Sequence, residues 1–361
     1  MKMLAKNGGK YILFALAALL LCLFALHAAQ QREETAKPHV LESFRLGTVT
    51  RVALYGENAA AEKALAEADK FLREFERIFS VNIASSDISR LNAKAGEWVA
   101  VSGECFRLVE RARELAELTE GAFNPAIGGV VRLWRTGTPD QRIPERGEIE
   151  KALQSCDYRK IESRASEDGR YLRIPRGMEL DLGAIAKGRA ADMLKEKLRE
   201  AGVKSAIIDL GGNLDVIGLS PEGRGWRLGL QRPWSPRGEY FGIVEAEDIS
   251  VVTSGPYERC FEKDGKIYHH IIDPASGFPA ESGLSSVTVI DGDSALADAL
   301  CTALFVMGRD RAAKFLEKNG GVAAVLLSAS GKTAFVTPAA RKIFRLTDEN
   351  IALEEIGGGS R

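Results

Sequence analysis

The chain has 361 residues, with 49 Lys and Arg against 50 Asp and Glu, a formal charge of −1. That length allows one large or two medium domains with a sizeable core. The balanced charge, with no long basic block or basic-aromatic stripe, argues against nucleic acid as a partner.

At the N-terminus, Lys2, Lys6 and Lys10 precede an apolar run over 11–26 and a polar stretch over 30–34. A positive flank, an apolar middle and a polar exit are the pattern of an export segment. Residues 1–29 therefore read as a signal or membrane anchor, 30–43 as a linker, 44–346 as the folded domain and 347–361 as a polar tail. Cys105, Cys156, Cys260 and Cys301 lie outside the leader and show no C-x-x-C spacing, which argues against a thiolate metal site. A disulfide among them stays open.

Residues 44–55 alternate well enough for one strand, with Gly47 and Thr48 inside it. Residues 59–79 carry apolar positions spaced by three and four, a helical pattern. Ser86 and Asp87 cap a short helix ending near Asn92, and 102–119 is a further amphipathic helix stopped by Gly121. Residues 136–147, rich in Gly, Pro and charge, read as a loop. A hairpin is expected over 158–174, turning at Asp168 and Gly169, and a short strand over 178–182. The next helix covers 184–201 and ends at Gly202. Strands are expected at 206–210, 226–230, 242–247, 250–253, 266–272 and 285–290. Two late helices follow, one around Asp298 and one over 309–319, then a strand over 322–327. Helices and strands mix without strict βαβ alternation, which predicts an α+β fold of mixed sheets packed with helices. No Walker loop and no complete G-x-G-x-x-G is present.

Between 294 and 307 the chain is apolar at almost every position except Asp298 and Thr302. Four apart, they share one helix face. Two readings are open. The oxygens hold a hard cation, Mg²⁺ before Zn²⁺, which points to a phosphate-bearing substrate. Otherwise Asp298 is bonded to a backbone amide and Thr302 back to a carbonyl.

His270 and Asp273 fall at a strand end, where the chain turns through Pro274 and Gly277. Either can act as a general base or orient one, or Asp273 simply caps the turn. Across 181–188 a strand hands over to a helix through small residues. Its amides can hold phosphate and Lys187 adds charge, while Ala184 offers a cation only its carbonyl. The alternative there is a plain junction with a solvated Lys. The turn Asp209-Leu210-Gly211-Gly212-Asn213 allows close backbone approach. In Gly121-Ala122-Phe123-Asn124-Pro125, the aromatic can stack on a planar ring or join the core. Thr253-Ser254-Gly255 is a further small-residue turn.

Taken in order, these pieces resemble the ApbE family, the FAD:protein FMN transferases. The resemblance runs from about residue 44 to 346. It rests on Leu46-Gly47-Thr48, Phe79-Ser80 and the segments 86–92, 121–125, 181–188, 209–213, 253–255, 270–277 and 297–308. It implies an α+β fold and Mg²⁺-dependent transfer of FMN from FAD to a Thr or Ser hydroxyl of a target protein, releasing AMP. Some members instead hydrolyse FAD to FMN and AMP, and a non-catalytic flavin-binding protein is the reading outside enzymes. By matching position, Asp298, Thr302 and the Ala184 carbonyl would be metal ligands. Leu46, Ala122, Phe123, Asn124, Asp181, Lys187, Ser254 and Ile271 would contact FAD. His270 and Asp273 would be catalytic, beside the pyrophosphate. The implied acceptor is a membrane or exported redox protein, and the implied location is the periplasmic, extracytoplasmic face of a bacterial cell membrane. The chain departs from the family pattern at Leu46, where Met is frequent, at Asn124, where Asp is frequent, and at Val81-Asn82, where an aromatic is common.

Overall fold

The computed structural model describes residues 37–56 and 58–358. The anchor expected over 1–29 lies outside them. Among the described residues, no helix is long and apolar enough to cross a membrane.

Nine strands form a central sheet: His39–Arg45, Thr48–Leu54, Ala206–Asp209, Asn213–Ile217, Ser250–Ser254, Leu284–Asp291, Ala323–Ser328, Thr333–Val336 and Ala352–Glu355. They lie side by side in their chain order. Every pairing is antiparallel except the last, between Thr333–Val336 and Ala352–Glu355. Antiparallel neighbours return to the same end of a sheet. One end therefore collects the turn at Leu46 and Gly47, the turn over 210–212 and both ends of the excursion over 255–283.

Side chains alternate across this sheet as the pleat requires. Val252, Val287 and Val289 enter the main core, while Val251 and Ile290 enter a second core on the opposite face. The main core lies beneath the helices Asn58–Phe79, Gly103–Leu118, Gly183–Glu200 and Ser294–Lys318. Ala61, Ala64, Ala68, Leu72, Phe75 and Phe79 form the buried stripe of the first. The second core is closed by the three-stranded sheet of Trp226–Gln231, Tyr240–Ala246 and Phe344–Leu346. A third cluster packs Trp134, Ile149 and Ile272 together. There Trp134 Nε1 donates to the Gly277 carbonyl at 2.9 Å, bracing the loop that follows His270. The α+β expectation holds.

Local differences have physical causes. Residues 44–55 are not one strand but part of a hairpin. Leu46 (φ +53°) and Gly47 (φ +69°) form a two-residue turn with both residues left-handed. The first strand starts at His39, inside the expected linker, and the expected polar tail supplies Ala352–Glu355. Residues 178–182 are not a strand. The Asn92 side chain takes both the amide and the carbonyl of Leu180, and Glu179 keeps only an isolated bridge to Ile127. The strand expected over 266–272 ends at His269: the His270 amide still bonds the Arg259 carbonyl in the hairpin register, but the next amide, of Ile271, turns back to His269 Nδ1 at 3.3 Å. The two late helices meet at Gly308, whose φ of +67° and ψ of 176° break the helical path. The helices Gly128–Trp134 and Arg146–Leu153 were not foreseen. All four described cysteines are free thiols, so the disulfide left open by the sequence is not formed.

Candidate active site

The site begins with a helix crossing. Gly183–Glu200 packs against Ser294–Lys318, and a Cβ on Gly188 would lie 2.2 Å from the Ser294 carbonyl oxygen. Only glycine lets the two backbones approach this closely. The approach brings the Gly188 amide to Asp298 Oδ2 at 3.0 Å. In a regular helix that amide serves the carbonyl of Ala184, four residues back. Lys187 Nζ lies 3.3 and 3.4 Å from the two Asp298 oxygens and 3.1 Å from the Gly183 carbonyl. Asp298 is only 3% exposed, so its charge depends on these partners.

Thr302 lies one turn further along. Its hydroxyl makes no back-bond to the Asp298 carbonyl, unlike Thr119, whose hydroxyl bonds the Leu115 carbonyl at 2.7 Å. The purely structural reading of the pair is thus met for Asp298 and unmet for Thr302. The donors gathered here are all oxygen: a carboxylate, a hydroxyl and the carbonyls at the helix start. Asp298 and the Gly183 carbonyl already hold a positive charge, the Lys187 ammonium, and oxygen donors of this kind suit a hard cation such as Mg²⁺. Among the described residues, no three His, Cys, Asp or Glu side chains gather as a metal cluster. Asp298 is the single carboxylate of this donor set.

His270 stands at the sheet end. Its amide and its Nδ1 both face the Arg259 carbonyl, at 3.1 and 3.2 Å. A carbonyl can only accept, so Nδ1 carries the proton and Nε2 is left as the acceptor. Burial, reinforced by the positive charge of Arg259, pushes the imidazole from its ordinary 6.5 down to about 3. His269 and Lys187 push in the same direction. The ring is therefore neutral at physiological pH, as a base must be. Its neighbour His269 points the other way, buried with Nε2 at 3.3 Å from the Ala280 carbonyl.

Arg259 escaped the sequence reading. Its Nη2 donates to the Gly47 carbonyl at 2.6 Å, 212 positions away in the chain. One residue thus holds His270 through its backbone and the Leu46–Gly47 turn through its side chain. Leu46 is fixed from the other side, its amide donating to Glu76 Oε1 at 2.9 Å.

The remaining predicted residues are placed as follows. Asp181 Oδ1 accepts from the Gly183 amide at 2.7 Å, and the Asp181 amide donates to the Pro125 carbonyl at 2.9 Å. This docks the loop carrying Ala122, Phe123 and Asn124 beside the helix start. Phe123 is 2% exposed and belongs to the main core, so ring stacking by its side chain is overturned. Asn124 is turned inward, bonding the Cys156 carbonyl and the Ala126 amide. Ser254 ends its strand at the site end of the sheet. Ile271 buries its side chain, its amide donates to His269 Nδ1 at 3.3 Å and its carbonyl accepts from the Ala280 amide at 3.0 Å, so neither the side chain nor either backbone group is free for a ligand. Asp273 Oδ1 accepts from the Ala275 amide at 2.9 Å, the turn-capping alternative.

Fold and site together define an α+β protein with a buried carboxylate, Asp298, paired with Lys187 between two helices and a neutral imidazole at the sheet end. The ApbE family profile matches residues 46–326, and the chain belongs to the ApbE family. A Treponema pallidum protein named FAD:protein FMN transferase is 39% identical over 300 residues, 78% of this chain and 82% of the relative. A Klebsiella pneumoniae protein of the same name is 35% identical over 284 residues, 78% of this chain and 87% of the relative. The crystal structure of the ApbE protein from Thermotoga maritima superposes with a TM-score of 0.79 at 31% identity, covering 86% of this chain and all of that one. The apo flavinyl transferase ApbE of Pseudomonas stutzeri gives a TM-score of 0.73 at 29% identity, covering 90% and 98% of the two chains.

Proposed function

We propose that this chain is an FAD:protein FMN transferase, moving the FMN half of FAD onto a Thr or Ser hydroxyl of another polypeptide and releasing AMP. Within the matched span, one observation supports the reading: a buried carboxylate, Asp298, held by Lys187 and a neutral His270 occur in the same fold.

Asp298, Thr302 and the Ala184 carbonyl would hold Mg²⁺, which supplies charge neutralisation at the FAD phosphates. Lys187 and the amides at the start of its helix add donors to the same phosphates. His270 Nε2 takes the proton of the attacking hydroxyl. The hydroxyl oxygen bonds to the FMN phosphorus, the P–O bond to the AMP phosphate breaks, and AMP leaves with the electron pair. The base is His270 rather than Asp273, whose Oδ1 is already committed to the Ala275 amide. Asp273 shapes the turn that holds His270.

The Lys-flanked apolar run over 11–26 supports a membrane-tethered enzyme whose domain faces outward, with a membrane or exported redox protein as acceptor. The test is incubation with FAD, MgCl₂ and a candidate exported redox domain, followed by denaturation. Flavin fluorescence that stays on the acceptor, with AMP released in equal amount, is the expected result. Free FMN with an unlabelled acceptor would make water the acceptor and the protein an FAD pyrophosphatase. Intact FAD would make it a flavin-binding protein.

A further inference from the structure

Of the four tryptophans, Trp134 and Trp226 are buried, and Trp98 lies against the guanidinium groups of Arg164 and Arg173. Trp234 is 55% exposed. Its backbone has a φ of +64°, a region that a bulky L residue enters only when the surroundings force it.

The forcing is visible in the loop. Gln231 Nε2, with two hydrogens, is shared among the carbonyls of Arg232, Ser235 and Pro236 at 3.0, 3.2 and 3.0 Å, and its Oε1 accepts from the Gly238 amide at 3.2 Å. Arg232 pairs with Asp348, and Arg237 reaches Glu258 at 3.5 Å. Strain held by this many bonds is concentrated at ligand clamps and active sites.

The loop also leans toward the site. Tyr257 meets Trp234 in a T-shaped contact with ring centroids 6.1 Å apart. Tyr257 follows Ser254 by three residues, and its ring packs over Gly255, where a Cβ would lie 2.3 Å from Tyr257 Cε1. Tyr257 thus ties the indole to the segment that follows the strand end at Ser254, while the Trp234 side chain stays exposed.

We propose that Trp234 stacks on a planar heteroaromatic ring of the dinucleotide substrate at the rim of this site. The inference rests on the FAD reading above. An indole held rigid loses little freedom on stacking and accepts either ring of the dinucleotide by its π-face.

FMN and AMP, titrated separately into the full-length protein, distinguish the two rings. One of them is expected to quench a component of tryptophan emission that is missing in Trp234→Leu. The affinity for that nucleotide should fall about tenfold in Trp234→Leu, as removal of a stacking aromatic does, and recover in Trp234→Phe. The other nucleotide should bind both variants as it binds wild type. Unchanged affinity for both nucleotides in a folded Trp234→Leu would overturn the inference and leave the FAD reading intact. So would a variant that binds both normally and loses only acceptor labelling, because the ring would then face the polypeptide. Wild-type protein that binds neither FMN, AMP nor FAD would remove the FAD reading itself.

Discussion

The Gly188 amide donates to the Asp298 carboxylate at 3.0 Å across a helix contact with no room for a side chain. A Cβ at residue 188 would meet the Ser294 carbonyl at 2.2 Å and Ala295 Cα at 2.7 Å. Gly188→Ala must therefore push the helices apart. The expected cost is about 2 kcal/mol, the scale of overpacking in a tight core, read as a lower urea midpoint. FMN transfer should fall by more than the loss of folded protein explains, because the Asp298 carboxylate moves away from the start of its partner helix.

The acid limb of the transfer rate should lie well below pH 6.5. His270 is neutral in the folded protein down to about pH 3, so acid does not disable it over the usual range. Stability has the matching sign. As pH falls from 6.5 toward 3, the unfolded chain takes a proton on this imidazole that the folded chain refuses, so the folded state loses ground across that window. His270→Asn should abolish most of the transfer rate with little change in FAD affinity, and should remove this part of the acid slope. A rate profile of kcat/KM and unfolding curves at several pH values measure both.

Arg259 adds a second, opposite handle on the same group. Its charge helps to hold the His270 pKa down, after burial. Arg259→Met removes the charge and the bond to the Gly47 carbonyl, so the imidazole protonates at higher pH and the acid limb of kcat/KM moves upward. Arg259→Lys keeps a charge and should keep the limb near its wild-type position, while losing most of the contact to the Leu46–Gly47 turn. A limb that stays put in Arg259→Met would show that burial alone sets His270.

Away from the site, Asp215 is fully buried and accepts from Lys195 Nζ at 2.7 Å and Ser250 Oγ at 2.6 Å. Lys195→Met strands that carboxylate. The expected loss is about 3 kcal/mol, as for other broken buried pairs, measured by urea unfolding at neutral pH.

The parts legible in the sequence were those with strong local periodicity. The apolar strands Ser250–Ser254 and Leu284–Asp291, the helix Gly183–Glu200 and the isolated Asp298–Thr302 spacing all announce themselves within a few residues. The hairpin turn at Leu46 and Gly47 did not, because alternation runs straight through it and Leu is not a residue that favours a left-handed turn position. The short stretch over 178–182 looked like a strand by composition, and only the distant Asn92 side chain decides otherwise. Arg259 carries no local signal at all. Its role comes from a carbonyl 212 positions away, which chain topology alone brings near. Phe123 shows the reverse case: its loop suggested a ligand contact for the ring, and packing claimed it for the core.

The most direct measurement is covalent flavin on an acceptor domain, with and without Mg²⁺, for wild type and Asp298→Asn. Wild type should label the acceptor only with the ion present and stop when a chelator is added. Asp298→Asn should remain folded by circular dichroism and label at least about a hundredfold more slowly at saturating FAD, the scale of losing a main electrostatic stabiliser of the transition state. Wild-type labelling rates from Asp298→Asn, or from the native protein in excess chelator, would contradict the account.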